Sequence, residues 1–179
     1  MTREERGRSV RAGDVLPALE IPITRTLIVA GALASRDYQD VHHDVELARE
    51  KGSPDIFMNI LTTNGLVGRY LTDHFGPTAV LQKLAIRLGA PNYPGDTMTL
   101  TGTITEVDAL PARPTSTPNA TATSTASPTT PHGITARVQI IGTNALGNHV
   151  TGTATVRLPP PGAAASCASR SRLSPEGTV

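Results

Sequence analysis

Cysteine, aromatic residues and charge are all scarce in this chain. Its one cysteine, Cys167, excludes an internal disulfide and fits a reducing compartment. There is no tryptophan, and aromatics make up 3% of the residues. So few rings leave no stacking platform for single-stranded nucleic acid. Charged residues amount to 17% with a formal net charge of +1, too weak a field to collect nucleic acid or an anionic membrane surface. No uninterrupted apolar run approaches the ~18 residues that cross a bilayer. The charges at Arg3, Glu4, Glu5, Arg6 and Arg8 lead into no apolar signal core, which sets the expectation of a cytoplasmic protein. With 179 residues, the chain suffices for one domain around a single core.

Residues 1–13 are charged and read as a flexible N-terminus. Leu16 to Pro22 reads as an extended lead-in. Thr26 to Ala34 is continuously apolar. Its length and its β-branched Ile28 and Val29 favour a strand buried on both faces, although such a run lacks the periodicity that separates strand from helix. A polar, turn-like stretch follows, from Asp37 to Asp44. Asp44 is placed to cap a short helix over Val45 to Lys51, which Gly52-Ser53-Pro54-Asp55 breaks.

From Ile56 to Phe75, apolar residues at Ile60, Leu61, Leu66, Val67, Tyr70, Leu71 and Phe75 follow a helical stripe that Gly76-Pro77 stops. Gly65 and Gly68 weaken such a helix and point to close approach of another backbone. The second half alternates with period two. Leu84, Ile86 and Leu88 mark one strand, and Met98, Leu100, Gly102 and Ile104, interleaved with threonines, mark another. Val138 and Ile140, a turn at Gly142 to Asn144, and Val150 to Leu158 complete the set. Residues 111–133 are rich in Pro, Thr and Ser and carry no apolar period, so they read as a disordered insert between two strands. Residues 159–179 read as a similar tail. The predicted class is α+β, one helix against several antiparallel strands.

The chemistry concentrates in Asp37-Tyr38-Gln39-Asp40-Val41-His42-His43-Asp44, followed by Pro54-Asp55-Ile56-Phe57-Met58-Asn59-Ile60-Leu61. A carboxylate and an imidazole converging on one water can add it across an activated double bond. The plain alternative is a surface loop in which Asp40 and Asp44 cap or solvate and His43 points elsewhere. A metal site is disfavoured, because adjacent histidines seldom share a coordination sphere and no zinc spacing is present. His74 fits a helix C-terminus, and His149 a strand turn. Lys83 and Arg87 suit a phosphate or a solvated strand face equally.

This order of elements resembles the MaoC-like (R)-specific enoyl-CoA hydratases of the hotdog fold, whose motif reads Asp-x-Asn-Pro-x-His-x-Asp. Asp37, His42 and Asp44 fall on its Asp, His and second Asp, while Gln39 and Asp40 replace Asn-Pro. The resemblance covers residues 14–158 outside the insert. It implies a curved antiparallel sheet wrapped around a central helix, with Asp37 and His42 as catalytic residues. It also implies substrate binding at Asn59 and Ile60, where backbone N–H groups near Met58, Asn59 or Ile60 hold the thioester oxygen. The family commonly has His-Gly where Met58-Asn59 stand.

A narrower likeness lies in Ser35 to Asp44, Gly52 to Thr62 and Thr143-Asn144-Ala145-Leu146-Gly147-Asn148-His149-Val150, which resemble the small MaoC-like subunit of actinobacterial steroid side-chain hydratases. That likeness implies a steroid enoyl-CoA substrate, a 3-oxo-pregnadiene carboxyl-CoA converted to its 17-hydroxy thioester. It implies a larger MaoC-like partner subunit carrying a zinc-ribbon/OB-fold domain, in a heterotetramer, and an associated thiolase-like aldolase. No cofactor is implied, coenzyme A being part of the substrate, and neither nucleic acid nor membrane is a partner. Two other functions fit less well: a non-catalytic subunit that completes a partner's tunnel, and a hotdog thioesterase. The latter typically needs a carboxylate on the helix, where only Asp73 stands, near the wrong end.

Overall fold

The computed structural model describes residues 10–110 and 133–159. Most of the expected N-terminal segment, of the 111–133 insert and of the 159–179 tail lies outside these residues. Strand β1 (Val15–Pro22) opens the fold. Three helices follow: α1 (Arg25–Ala34), α2 (Val45–Glu50) and α3 (Ile60–Phe75). A single 3-10 turn, Asp40–His42, separates α1 from α2. Strands β2 (Val80–Leu88), β3 (Thr97–Ala109), β4 (Ile134–Asn144) and β5 (Gly147–Leu158) complete the chain.

The five strands form one sheet in the order β1-β3-β4-β5-β2, antiparallel at every pairing. Period two drives this: Met98, Leu100 and Ile104 of β3 and Val138 and Ile140 of β4 are buried, while the intervening threonines face outward. Helix α3 lays Thr63, Val67, Tyr70 and Leu71 onto the apolar face. Gly102 admits the Tyr70 ring, since a Cβ there would stand 3.2 Å from Tyr70 Cε1. This is the central helix on an antiparallel sheet that the hotdog resemblance led us to expect. Just before β1, the Gly13 N–H donates to Ile104 O at 2.7 Å.

Several local expectations change. The apolar run Thr26 to Ala34 is helix α1, not a strand. Thr24 caps it by accepting from Leu27 N at 3.0 Å, and only Ile28 and Ala32, one turn apart, are fully buried. Leu33 is 53% exposed, so the run has one inner face rather than two. Alanines 30, 32 and 34 supply helix propensity that outweighs Ile28 and Val29. The close glycine contact is also elsewhere: a Cβ at Gly65 would meet nothing within 4 Å, and one at Gly68 only Leu81 at 3.9 Å. Gly31 of α1 is the tight position, pressed on Thr62 of α3. The β4–β5 turn falls at Asn144 to Gly147 rather than Gly142 to Asn144, which puts His149 inside β5 and buried. Helix α3 begins at Ile60, because Phe57 and Met58 are pinned in extended form, Phe57 N to Val41 O and Met58 N to Asn92 O, both at 3.1 Å.

Candidate active site

The end of α1 delivers Asp37. Ser35 is the last cap residue, and Arg36 takes a left-handed backbone with φ of 56°. Arg36 N then bonds Leu33 O at 3.1 Å, and Asp37 N bonds Ala32 O at 2.9 Å. This pair is a Schellman closure, in which glycine usually occupies the left-handed position. Arginine there costs about 1 kcal/mol. The Asp37 main chain is thus hydrogen-bonded to the helix it follows.

Five residues on, the 3-10 turn carries His42. Its N–H bonds Gln39 O at 3.0 Å, and Asp44 N bonds Asp40 O at 2.8 Å. Asp44 then caps α2, accepting from Glu46 N at 2.9 Å and Leu47 N at 3.0 Å. The His42 ring stands edge-on to Phe57, with centroids 5.1 Å apart. Its Nδ1 is 2.7 Å from Phe57 O. A carbonyl only accepts, so Nδ1 carries the hydrogen, and Nε2 is the nitrogen left for chemistry.

That Nε2 lies 3.3 Å from Asp37 Oδ2, with His42 7% and Asp37 18% exposed at the side chain. When imidazole and carboxylate hold their neutral and ionised forms, both facing atoms are acceptors. A water giving one hydrogen to each satisfies both. Such a water has a potential general base on either side.

Asn59 closes the site from the α3 side. It is 2% exposed. Its Oδ1 accepts from Thr62 N at 2.9 Å, as a helix N-cap does. Its Nδ2 donates to Asp37 Oδ2 at 3.0 Å and to Ser35 Oγ at 2.9 Å. Of the three expected backbone donors, Met58 N–H is already spent on Asn92 O. The N–H groups of Asn59 and Ile60 have no acceptor among the described residues, and Ile60 opens a helix whose dipole favours negative charge there.

The structure therefore brings Asp37, His42 and Asn59 together, with Ile60 next in the chain. The neighbouring polar groups do other things. His43 Nε2 faces Tyr38 O at 3.2 Å, and Asp44 is a cap. Asp40 binds Lys51 at 2.7 Å, which holds its carboxyl below the usual range. Lys83 and Arg87 lie exposed on β2, at the sheet edge. Among the described residues no group of three or more His, Cys, Asp or Glu is arranged to hold a metal ion.

Two contacts escaped the sequence reading. The Asn59 side chain reaches Asp37 across 22 residues, although an asparagine before an apolar run is a recognisable cap. Buried His149 meets Thr63 Oγ1 at 2.9 Å through Nε2 and Ala90 O at 2.7 Å through Nδ1, and burial pushes its pKa down. Nothing in local spacing signals a pair 86 residues apart.

Leu33, Tyr38, Ile60 and Leu61, from the chain segments that carry Asp37 and Asn59, are all exposed. Arg25, Thr26, Val29, Ala30 and Leu33 line a shallow depression of about 380 Å³ along the outer side of α1.

Residues 10–125 match the family described as the MaoC like domain. Over 141 residues the chain is 43% identical to the 3-oxo-4,17-pregnadiene-20-carboxyl-CoA hydratase beta subunit of Mycobacterium tuberculosis, covering 79% of this chain and 91% of that protein. It is similar to the crystal structure of the ChsH1-ChsH2 complex from the same organism, with a TM-score of 0.66 and 39% identity over 84% of this chain and 99% of that chain. The (R)-hydratase from A. caviae involved in PHA biosynthesis shares the fold, with a TM-score of 0.64 and 19% identity over 85% of this chain and 99% of that one.

Proposed function

The chain belongs to the MaoC-like family, and from that premise we propose that it is the catalytic small subunit of an enoyl-CoA hydratase acting on a steroid side chain. The observation that carries the reading is the Asp37–His42 pair, 3.3 Å apart, beside a helix start whose first N–H groups have no acceptor among the described residues. The water held between the two side chains attacks the β-carbon of the 2-enoyl thioester. As the C–O bond forms, the π electrons move to the thioester oxygen. One member of the dyad takes the proton that water loses and passes it to the other, which delivers it to the α-carbon as the carbonyl re-forms, so that both end as they began. The enolate oxygen is held by the Asn59–Ile60 backbone N–H groups, where donors fixed in advance stabilise developing charge most. Coenzyme A enters as part of the substrate, and no cofactor takes part in the addition.

The substrate is a 3-oxo-pregnadiene carboxyl-CoA and the product its 17-hydroxy thioester, a reading supported by the name of the 43% identical relative. The working unit pairs this chain with a larger MaoC-like subunit bearing a zinc-ribbon/OB-fold domain, in a heterotetramer, with a thiolase-like aldolase acting on the product. The relative's name as a beta subunit and the two-protein complex it resembles support a larger partner. The exposed apolar residues Leu33, Tyr38, Ile60 and Leu61, from the chain segments that carry Asp37 and Asn59, support it physically. Strands β1 and β2 also leave sheet edges to be covered. The setting is cytoplasmic, and among the described residues no helix is long and apolar enough to cross a membrane.

The test is single-turnover hydration of the steroid enoyl-CoA by this chain purified with its larger partner, for wild type, Asp37→Asn and His42→Ala. Each variant loses more than about a hundredfold in rate with the complex intact. Near-normal hydration by both variants moves the dyad to the partner and leaves this chain as a tunnel wall. Release of coenzyme A in place of water addition makes the protein a thioesterase. Asp73, the carboxylate such an enzyme would need on α3, instead pairs with Arg69 at 3.2 Å in the helix's C-terminal half.

A further inference from the structure

We propose that Asn59 is a positioning residue for the reaction, its side-chain amide orienting the Asp37 carboxylate toward His42. The inference rests on the hydratase reading above.

The orientation of the amide is fixed by its partners. Thr62 N–H can only donate, so the atom it meets at 2.9 Å is Oδ1. Nδ2 is thereby turned to Ser35 Oγ and Asp37 Oδ2, at 2.9 and 3.0 Å, one hydrogen for each. Ser35 commits its own hydrogen to Gly31 O at 2.7 Å, leaving its oxygen to accept. Every donor and acceptor in the set has a partner, and no alternative pairing satisfies them all.

The segment around Asn59 is also clamped on both sides. Before it, Met58 N is tied to Asn92 O, and Asn92 is held through Oδ1 by Asn144 Nδ2 at 2.8 Å. After it, Thr63 Oγ1 lies between Asn59 O at 3.3 Å and His149 Nε2 at 2.9 Å. Asn144 and His149 come from the Thr143–Val150 hairpin, whose sequence stood out but found no place in the chemistry. Its role is to brace the start of α3 from the sheet side.

The donor matters because it meets the oxygen that faces His42. A hydrogen bond to the charged form of a carboxyl favours that form. Among good N-cap residues, asparagine alone offers a neutral donor beside the capping oxygen. Aspartate caps as well but sets a second carboxylate beside Asp37, and serine caps but cannot reach it. His42, from the 3-10 turn, is the titratable side chain facing Asp37; α3 presents Asn59 there and α1 presents Ser35.

Asn59→Ser and Asn59→Asp therefore separate capping from positioning. Both are made in the complex with the larger subunit and followed by steroid enoyl-CoA hydration across pH, with the melting temperature as a measure of fold. We expect kcat to fall roughly tenfold or more in Asn59→Ser while KM moves about twofold or less. The acid limb of the kcat/KM profile shifts to higher pH, and further in Asn59→Asp, where adjacent carboxylates oppose each other's ionisation. The melting temperature stays near wild type in Asn59→Ser, which keeps the cap, and falls in Asn59→Asp, where two carboxylates are buried side by side. An active wild type with Asn59→Ser equal to it in kcat and in acid limb overturns the inference alone. So does a loss shared equally by both variants with an unmoved acid limb and a lowered melting temperature, which assigns Asn59 to the fold. A wild-type complex that adds no water refutes the hydratase reading and this inference together.

Discussion

Replacing Gly31 by alanine tests whether the α1–α3 contact builds the site. In an ordinary helix the change gains about 1 kcal/mol of propensity. Here the new methyl would overlap Thr62 Oγ1 and stand 2.8 Å from Thr62 Cγ2 and 3.0 Å from Thr62 Cβ. Carbon atoms settle at about 3.5–4.0 Å, so α1 and α3 must part by about half an ångström. Turning the Thr62 side chain frees Oγ1 and Cγ2, but Cβ moves only with the backbone. Overpacking of this kind costs about 1–3 kcal/mol, which leaves Gly31→Ala about 1 kcal/mol less stable after the propensity gain. For a domain of this size that lowers the melting temperature by about 3 °C. Gly65→Ala, on an exposed position with nothing within 4 Å, shifts it the other way. Thr62→Ala supplies the rescue. Its Oγ1 is buried without a partner among the described residues, so removing it sacrifices no hydrogen bond and relieves the clash in part, leaving only the 3.0 Å Cβ contact. Thermal unfolding of the full-length chain and its variants reads all three effects, and the double-mutant cycle isolates the contact. Gly31→Ala as stabilising as Gly65→Ala would refute the reasoning.

Two further outcomes follow from groups around the site. Burial holds the folded-state pKa of His149 below its ordinary value of 6.5, so between the two values the unfolded chain binds the extra proton. Stability from this group is complete above about pH 6.5 and is lost as pH falls toward the lower folded value. His149→Gln should show a smaller drop in melting temperature between about pH 7.5 and pH 5.5 than wild type, and parallel curves would refute the assignment. Asp44→Ala removes the cap of α2 and should cost about 1 kcal/mol in denaturant unfolding, with hydration weakened because the same loop carries His42. An unchanged unfolding midpoint would show that the cap contributes nothing.

The parts of the molecule that local chemistry determines were legible in the sequence. Strands β3 and β5 show in the period-two pattern, because each has one face on the core. The α2 cap shows in Asp44, and the α3 stop in Gly76-Pro77. Asp37 and His42 could be paired because a Schellman closure, a 3-10 turn and a cap, all between Ala32 and Leu47, bring them together. What depended on distant partners was not legible. Thr26 to Ala34 carries apolar residues all round, and only its packing on α3 reveals that Ile28 and Ala32 point inward while Leu33 faces out. The same crossing explains the misplaced glycine. Gly65 and Gly68 lie on the helix that looked crowded, but the crowding is at Gly31, where the shorter helix needs a bare backbone to reach Thr62.

That crossing joins the fold to the chemistry. Asp37 sits immediately beyond α1, and Asn59 immediately before α3, so the Gly31–Thr62 contact sets the span that the 3.0 Å Asn59–Asp37 hydrogen bond must bridge. Separating the helices by half an ångström would stretch this bond out of its effective range before it disturbed the local Asp37–His42 pair. In Gly31→Ala the activity loss should therefore resemble that of Asn59→Ser, with kcat lowered and the acid limb moved up, rather than that of Asp37→Asn. In the Thr62→Ala background, where only the 3.0 Å Cβ contact remains, the same methyl should shift both quantities less than it does in wild type. A Gly31→Ala enzyme with wild-type kcat and a lowered melting temperature would uncouple the crossing from the site, leaving the carboxylate to be held by the Schellman closure alone.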